Sequence, residues 1–258
     1  MRYEAEDDIL DEISNYHKTD IAPFTKSKLE FDVLDSIHNY KSIFVDNSGH
    51  DCEPPDYFSD KAKLMFDVMR INDSEKRKSY NPVFIKERKV QKEIREALTG
   101  TNIPESALTN GLVINALPDE DYDKAHNYRQ YRRHYLRTID KHLRQIAFCK
   151  KTHPDCKMGF LIFDETDLYI ELANVIEATK PWTPGTEAMA VSFHLPLFDE
   201  TFMQPLLDSD LDFVVWALPY KLYTGGPYEL PRLCVVDLKN YDKNIFFKKY
   251  TKNCLRSR

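Results

Sequence analysis

The chain has 258 residues, 42% hydrophobic and 30% charged, with only 7 glycines. That profile provides enough apolar material for a sizeable core and is that of a globular chain, not a disordered one. The net charge of -6 is unevenly spread: residues 1–60 carry 15 acids against 5 bases, 121–160 carry 10 bases against 4 acids, and 240–258 carry 6 bases against 1 acid. Acidic clusters suit metal ions or a basic partner, and basic clusters suit phosphates; either also serves as a solvated face. No run of about 18 apolar residues exists, so no membrane span is expected. The N-terminal stretch MRYEAEDDILDEI is acidic and amphipathic, unlike a secretory signal. The cysteines at 52, 149, 156, 234 and 254 form no CxxC pair. This predicts reduced thiols and a cytoplasmic protein, and argues against a structural zinc site.

In chain order, residues 9–17 and 29–40 read as two short helices split by Pro23, with Leu29, Val33, Ile37 and Tyr40 at helical spacing. Residues 41–51 read as a strand ending in a polar turn. Residues 62–71 read as a second strand. Its even positions, Ala62, Leu64, Phe66 and Val68, form the core set, and the alternation puts Asp67 on the other face. Residues 81–100 form a helix opened by Asn81 and Pro82 and closed by Gly100. Residues 111–118 form a short buried strand. A long helix over 121–151 carries an apolar stripe of Tyr128, Tyr135, Ile139, Leu143 and Ile146. It also carries a basic stripe of Arg133, Arg137, Lys141 and Arg144. The turn HPDCK follows. Then come a strand over 158–165 buried on both faces, a helix over 199–210, and strands over 211–221 and 233–239. The expected fold class is α/β, with a central mixed sheet flanked by helices in a single domain.

The stretch PPDYFSDKAKLMFDVMR (54–70) supplies the chemical signal. Pro55-Asp56 stands eleven residues before Asp67, and Met69 follows two residues later. This resembles the PD-(D/E)XK fingerprint of the restriction-endonuclease-like superfamily, except that Met69 stands where the family keeps a lysine. The element order helix, strands, helix, strand, helix, strand over about 29–221 matches that family's core, with 72–120 as an insertion.

The resemblance implies a Mg²⁺-dependent nuclease acting on, or binding, DNA or RNA. Two or three carboxylates would hold the ion, a hard cation suited to oxygen ligands, which neutralises the scissile phosphate and helps make hydroxide. By position, Asp56 and Asp67 would be the metal ligands, with Glu30 on the leading helix as an accessory acid. Met69 cannot carry the proton or the charge of the lysine. Candidates for that role are Lys63, on the strand face of Asp67, and Arg129 or Arg133 of the basic helix. Arg129, Arg133 and Arg137 of the basic helix would meet phosphates. The N-terminal end of that helix is expected beside Asp67, with Arg129 and Arg133 offsetting its charge. The other reading keeps the fold without the chemistry, as a binding or interaction module; Met69 and the acidic pI near 5.8 favour it.

A second spelling of the motif, Asp237-Leu238-Lys239, has only 19 residues after it, too few for the helix and strand the fold needs. It reads as an edge strand, with Asp210 or Asp212 as its partner carboxylate in the alternative. No HExxH, GxSxG, Walker loop or GxGxxG is present.

Overall fold

The computed structural model describes residues 6–48, 53–73, 128–166, 169–172, 191–219, 231–247 and 254–256. The helix expected over 81–100, the strand over 111–118 and the start of the helix over 121–151 lie outside the described residues.

A mixed seven-stranded sheet organises the chain. Its strands are β1 (Ile21–Pro23), β2 (Val45–Asp46), β3 (Tyr57–Ser59), β4 (Leu64–Ile71), β5 (Lys157–Asp164), β8 (Phe213–Ala217) and β9 (Leu233–Asp237), in the order β1-β9-β8-β5-β4-β3-β2. β2, β3 and β4 form an antiparallel meander, and β4, β5 and β8 run parallel. β9 is antiparallel to β8 and parallel to β1. A separate three-stranded antiparallel sheet joins β6 (Tyr169–Leu172), β7 (Val191–His194) and β10 (Cys254–Arg256).

Helices α1 (Glu6–Ser14), α2 (Lys28–His38) and α3 (Tyr40–Ile43) precede the meander. Ser27 and Glu30 close a capping box on α2, which fixes where the helix starts. α4 (Tyr128–Leu143) and α5 (Ile146–Thr152) return the chain from β4 to β5, α6 (Glu200–Leu207) precedes β8, and α7 (Lys243–Phe246) follows β9. The long helix expected over 121–151 is thus broken after Leu143 within its described part. The strand expected over 41–51 is two residues long, because Tyr40–Ile43 stays helical.

Both faces of the sheet are covered. Leu64, Phe66 and Val68 of β4 join Leu161 and Phe163 of β5 under α1 and α2, where Ile9, Ile13, Val33 and Ile37 are buried. Met65 and Met69 join Phe160, Ile162 and Trp216 under α4 and α6, where Tyr131, Tyr135, Ile139 and Phe202 are buried. The alternation read from the sequence is real, but its second face is also core. Asp67 is therefore not a solvent-facing residue; it is 1% exposed. β5 is buried on both faces, as its continuous apolar run predicts.

Candidate functional site: the Asp56–Asp67 pair

The antiparallel register Tyr57↔Phe66 sets Asp56 directly opposite Asp67, one step beyond the end of β3. The two carboxylates are woven into each other's backbone. The Asp56 amide donates to Asp67 Oδ1 at 3.2 Å, and the Val68 amide donates to Asp56 Oδ2 at 2.7 Å. Asp56 is half-buried. The third member is His142, near the C-terminal end of α4, whose Nδ1 lies 3.5 Å from Asp67 Oδ2. Its ring stands edge-on to Phe160.

Electrostatics follow from this crowding. Burial pushes the Asp56 carboxyl up to about 6. The bond from the Val68 amide opposes the rise and the Asp67 charge adds to it, while His142 and Asp46 act in opposite senses. Burial also pushes the Cys149 thiol up to about 12, with the Asp67 charge adding. That thiol is inert as a nucleophile. Met69 is buried in the same apolar layer as Met65 and Phe160.

The remaining residues singled out by sequence lie elsewhere. The Glu30 carboxylate is fully buried and accepts from the Thr25 amide and hydroxyl, the Ser27 amide and the Asp237 amide. It ties α2 to β9, three strands away from β4, and belongs to a capping box rather than to the aspartate pair. Lys63 is not on the strand: it occupies the turn before β4 with a left-handed φ of 56°, and its Nζ is 3.8 Å from Asp155. Four extended residues, about 13 Å, separate it from Asp67.

Arg129, Arg133 and Arg137 are exposed on the outer side of α4. The helix runs opposite to the direction expected of it. Its first turns meet the C-terminal ends of the strands: Tyr131 donates to Asp164, and the Asn72 amide reaches His134. His142, not an arginine, stands at Asp67. Arg133 and Arg129 are about 14 and 20 Å back along the axis. His142 was legible in principle, because it continues the buried Tyr135–Ile139 stripe at helical spacing.

The second motif is structural. Asp237 accepts from the Lys239 amide and the Asn240 side chain and caps a short 3-10 turn. Lys239 pairs with Asp212 at 2.8 Å, joined there by Lys150 and Lys157 at 3.3 Å each. Burial raises the Asp212 carboxyl, but the Lys239 hydrogen bond, the Met158 amide and the charges of Lys150 and Lys157 outweigh it and hold the group at about 2.

With that geometry in hand, comparison with known proteins adds no relative: no family model, curated protein or solved structure matches the chain. Among the described residues, no helix is long and apolar enough to cross a membrane.

Desolvation of Asp56 has a measurable consequence. A carboxyl raised from 3.8 to about 6 in the folded state favours its neutral form. The sign is fixed by linkage: no penalty exists below about pH 4, and one grows as pH rises to about 6. Asp56→Asn keeps an acceptor for the Val68 amide and removes the charge. It is expected to stabilise the protein at neutral pH by up to about 3 kcal/mol, the full conversion of that shift, less whatever solvent reaches the half-buried carboxyl, and by little near pH 4. Urea denaturation at the two pH values checks this; equal stability at both shows that Asp56 is not held out of water.

Proposed function

We propose that this chain is a restriction-endonuclease-like fold kept without its hydrolytic chemistry, acting as a module that binds the nucleic-acid backbone. The fold reading is supported by the order of elements: a helix, a three-stranded meander, then helix–strand and helix–strand returns to parallel positions. The Pro-Asp pair opens the second strand of the meander and Asp67 sits in the third, as the motif requires.

The observation that carries the loss of chemistry is the closure at Asp67. Its carboxylate is 1% exposed, its oxygens face the Asp56 amide and His142, and a buried methionine replaces the lysine. A hydrated Mg²⁺ needs several open oxygen ligands, which this arrangement denies. The binding surface is the exposed row Arg129, Arg133 and Arg137. Spaced four apart, these guanidinium groups point to one side of α4, and among the described residues none has an ion-pair partner. Such a row recognises phosphates without reading bases.

A second reading, a metal-dependent nuclease, is favoured by one observation. Two adjacent carboxylates, one raised to about 6 by burial and by the charge of the other, are a pair whose crowding a bound cation would relieve, the ion taking the place of the proton. The experiment separates the two. The protein is incubated with single- and double-stranded DNA and RNA in Mg²⁺ and in Mn²⁺, beside Asp56→Asn and Asp67→Asn. No cleavage above the variants is expected. Cleavage lost in both variants overturns the proposal in favour of the nuclease. Binding is measured against salt with Arg129, Arg133 and Arg137 replaced together by Gln. The slope of log affinity on log salt should flatten by roughly 0.9 per lost phosphate contact. An unchanged slope means that the row only solvates the helix.

A further inference from the structure

A second cluster lies past the opposite end of β3 from Asp56. The turn leaving β3 carries Asp60, and the HPDCK turn between α5 and β5 carries His153 and Cys156. The parallel pairing of β4 with β5 brings these two turns together: the Lys157 amide donates to the Lys63 carbonyl at 2.8 Å, and the Cys156 thiol faces the Ser59 carbonyl at 3.8 Å. Within the second turn, the Cys156 amide donates to the His153 carbonyl at 3.1 Å, which closes the turn that carries both residues. A ligand atom from each of Asp60, His153 and Cys156 lies within 4.8 Å of the others. His153 Nδ1 is 4.0 Å from Asp60 Oδ1, and its ring packs on Phe58 with centroids 4.3 Å apart, which fixes its orientation.

We propose that Asp60, His153 and Cys156 form a zinc-class site that clips the β3–β4 turn to the α5–β5 turn. The donor set is what selects the metal. A thiolate excludes Mg²⁺ and Ca²⁺ as preferred occupants, and an imidazole with a thiolate suits Zn²⁺ or Co²⁺. Ligand atoms this close need to move inward by only about an ångström to reach tetrahedral zinc, whose bonds are about 2.0 Å to N or O and 2.3 Å to S. The arrangement of the three also fits: Cys156 is buried, His153 is half-buried, and Asp60 is exposed at the rim. The metal therefore sits at the surface with its fourth position toward solvent, where water completes the shell. The absence of CxxC pairs argued against zinc from the sequence. That argument concerns sites built on paired thiols, whereas this one takes a single thiol and draws its other two ligands from residue types that spacing alone does not flag. Binding replaces the thiol proton, so the ion and the proton compete. The inference is independent of the nucleic-acid reading, since none of its ligands belongs to the Asp56–Asp67 pair or to the arginine row.

The test is a Co²⁺ titration of the metal-free full chain, followed by optical absorption, with Zn²⁺ displacement as the second step. One equivalent of Co²⁺ should give a thiolate-to-cobalt charge-transfer band and tetrahedral visible bands, both erased by Zn²⁺. Cys156→Ser should lose the charge-transfer band. Asp60→Asn, at an exposed position that leaves the fold untouched, should weaken Co²⁺ binding by at least about tenfold. His153→Gln should weaken it similarly. A charge-transfer band that persists in Cys156→Ser, or affinity unchanged in Asp60→Asn and His153→Gln, overturns the proposal. So does the absence of any band in the parent chain. Zn²⁺ should also raise the thermal midpoint of the parent and not that of Asp60→Asn; equal shifts in the two overturn it as well.

Discussion

Gly159→Ala is expected to destabilise the protein by about 3 kcal/mol, the upper part of the range for overpacking a core. A Cβ built on Gly159 falls 2.2 Å from Phe213 Cε2 and 2.4 Å from Cζ. Neither partner has room to yield. Gly159 pairs with Phe213 across β5 and β8, in the middle of a sheet covered on both sides, and the Phe213 ring is fully buried among Leu161, Val215 and Val235. The glycine's role is close approach: its missing side chain is the slot that the ring fills. For a chain of this length, about 3 kcal/mol lowers the thermal midpoint by roughly 6–12 °C. Shrinking the ring supplies the control. Phe213→Leu alone leaves a cavity and costs stability, but combined with Gly159→Ala it should recover part of the loss, giving a favourable coupling between the two sites. Strict additivity of the two losses, or an unaffected Gly159→Ala, shows that the sheet opens more easily at this point than its packing implies.

Much of this architecture was legible in the residues. The runs in β4, β5, β8 and β9 are long, apolar and rich in β-branched or aromatic side chains, and the stripe of α4 repeats with helical period. What misled was the second face of β4. Met65 and Met69 fill core positions as well as Phe66 does, so an aspartate between them is in the core and not on the surface. β3 escaped notice because three residues after two prolines carry no period to detect. Glu30 reads as an accessory metal-binding acid by the resemblance, although the signal for its task in the fold, serine three residues before a glutamate at the start of a helix, stands in Ser27-Lys28-Leu29-Glu30. Arg133, Arg137 and Lys141 of the basic stripe lie on α4, and Arg144 falls in the break after it; the angular relation of the stripe to the sheet depends on which side the tyrosines bury. With Tyr131, Tyr135 and Ile139 inside, Arg129, Arg133 and Arg137 have to be outside. A loop-to-loop cluster such as Asp60, His153 and Cys156 leaves no sequence trace at all, since the β4–β5 pairing alone joins residues nearly a hundred positions apart.

Burial of Asp67 also reverses what its replacement should do. A carboxylate on a solvent face can be cut back to alanine without harm. A fully covered one that serves as an acceptor cannot. Asp67→Ala leaves the Asp56 amide without its 3.2 Å partner and removes the group facing His142. It also opens a void between Met65 and Met69 in the layer beneath α4. Orphaning this part-buried donor costs about 1 kcal/mol, and the void left by the buried side chain adds to it, so a loss of about 2–3 kcal/mol is expected. Relief of the repulsion that Asp56 feels from Asp67 offsets only part of this. Asp67→Asn keeps an oxygen for the Asp56 amide and the volume of the side chain, and should cost about 1 kcal/mol. The comparison decides what the residue is for. If the alanine variant unfolds early in urea and the asparagine variant does not, Asp67 is an internal hydrogen-bond acceptor that holds the end of β3 to β4. If both variants are as stable as the parent, that structural account is wrong. A buried aspartate contributing nothing to stability is then best explained by chemistry, and the metal-dependent reading of the pair regains its ground.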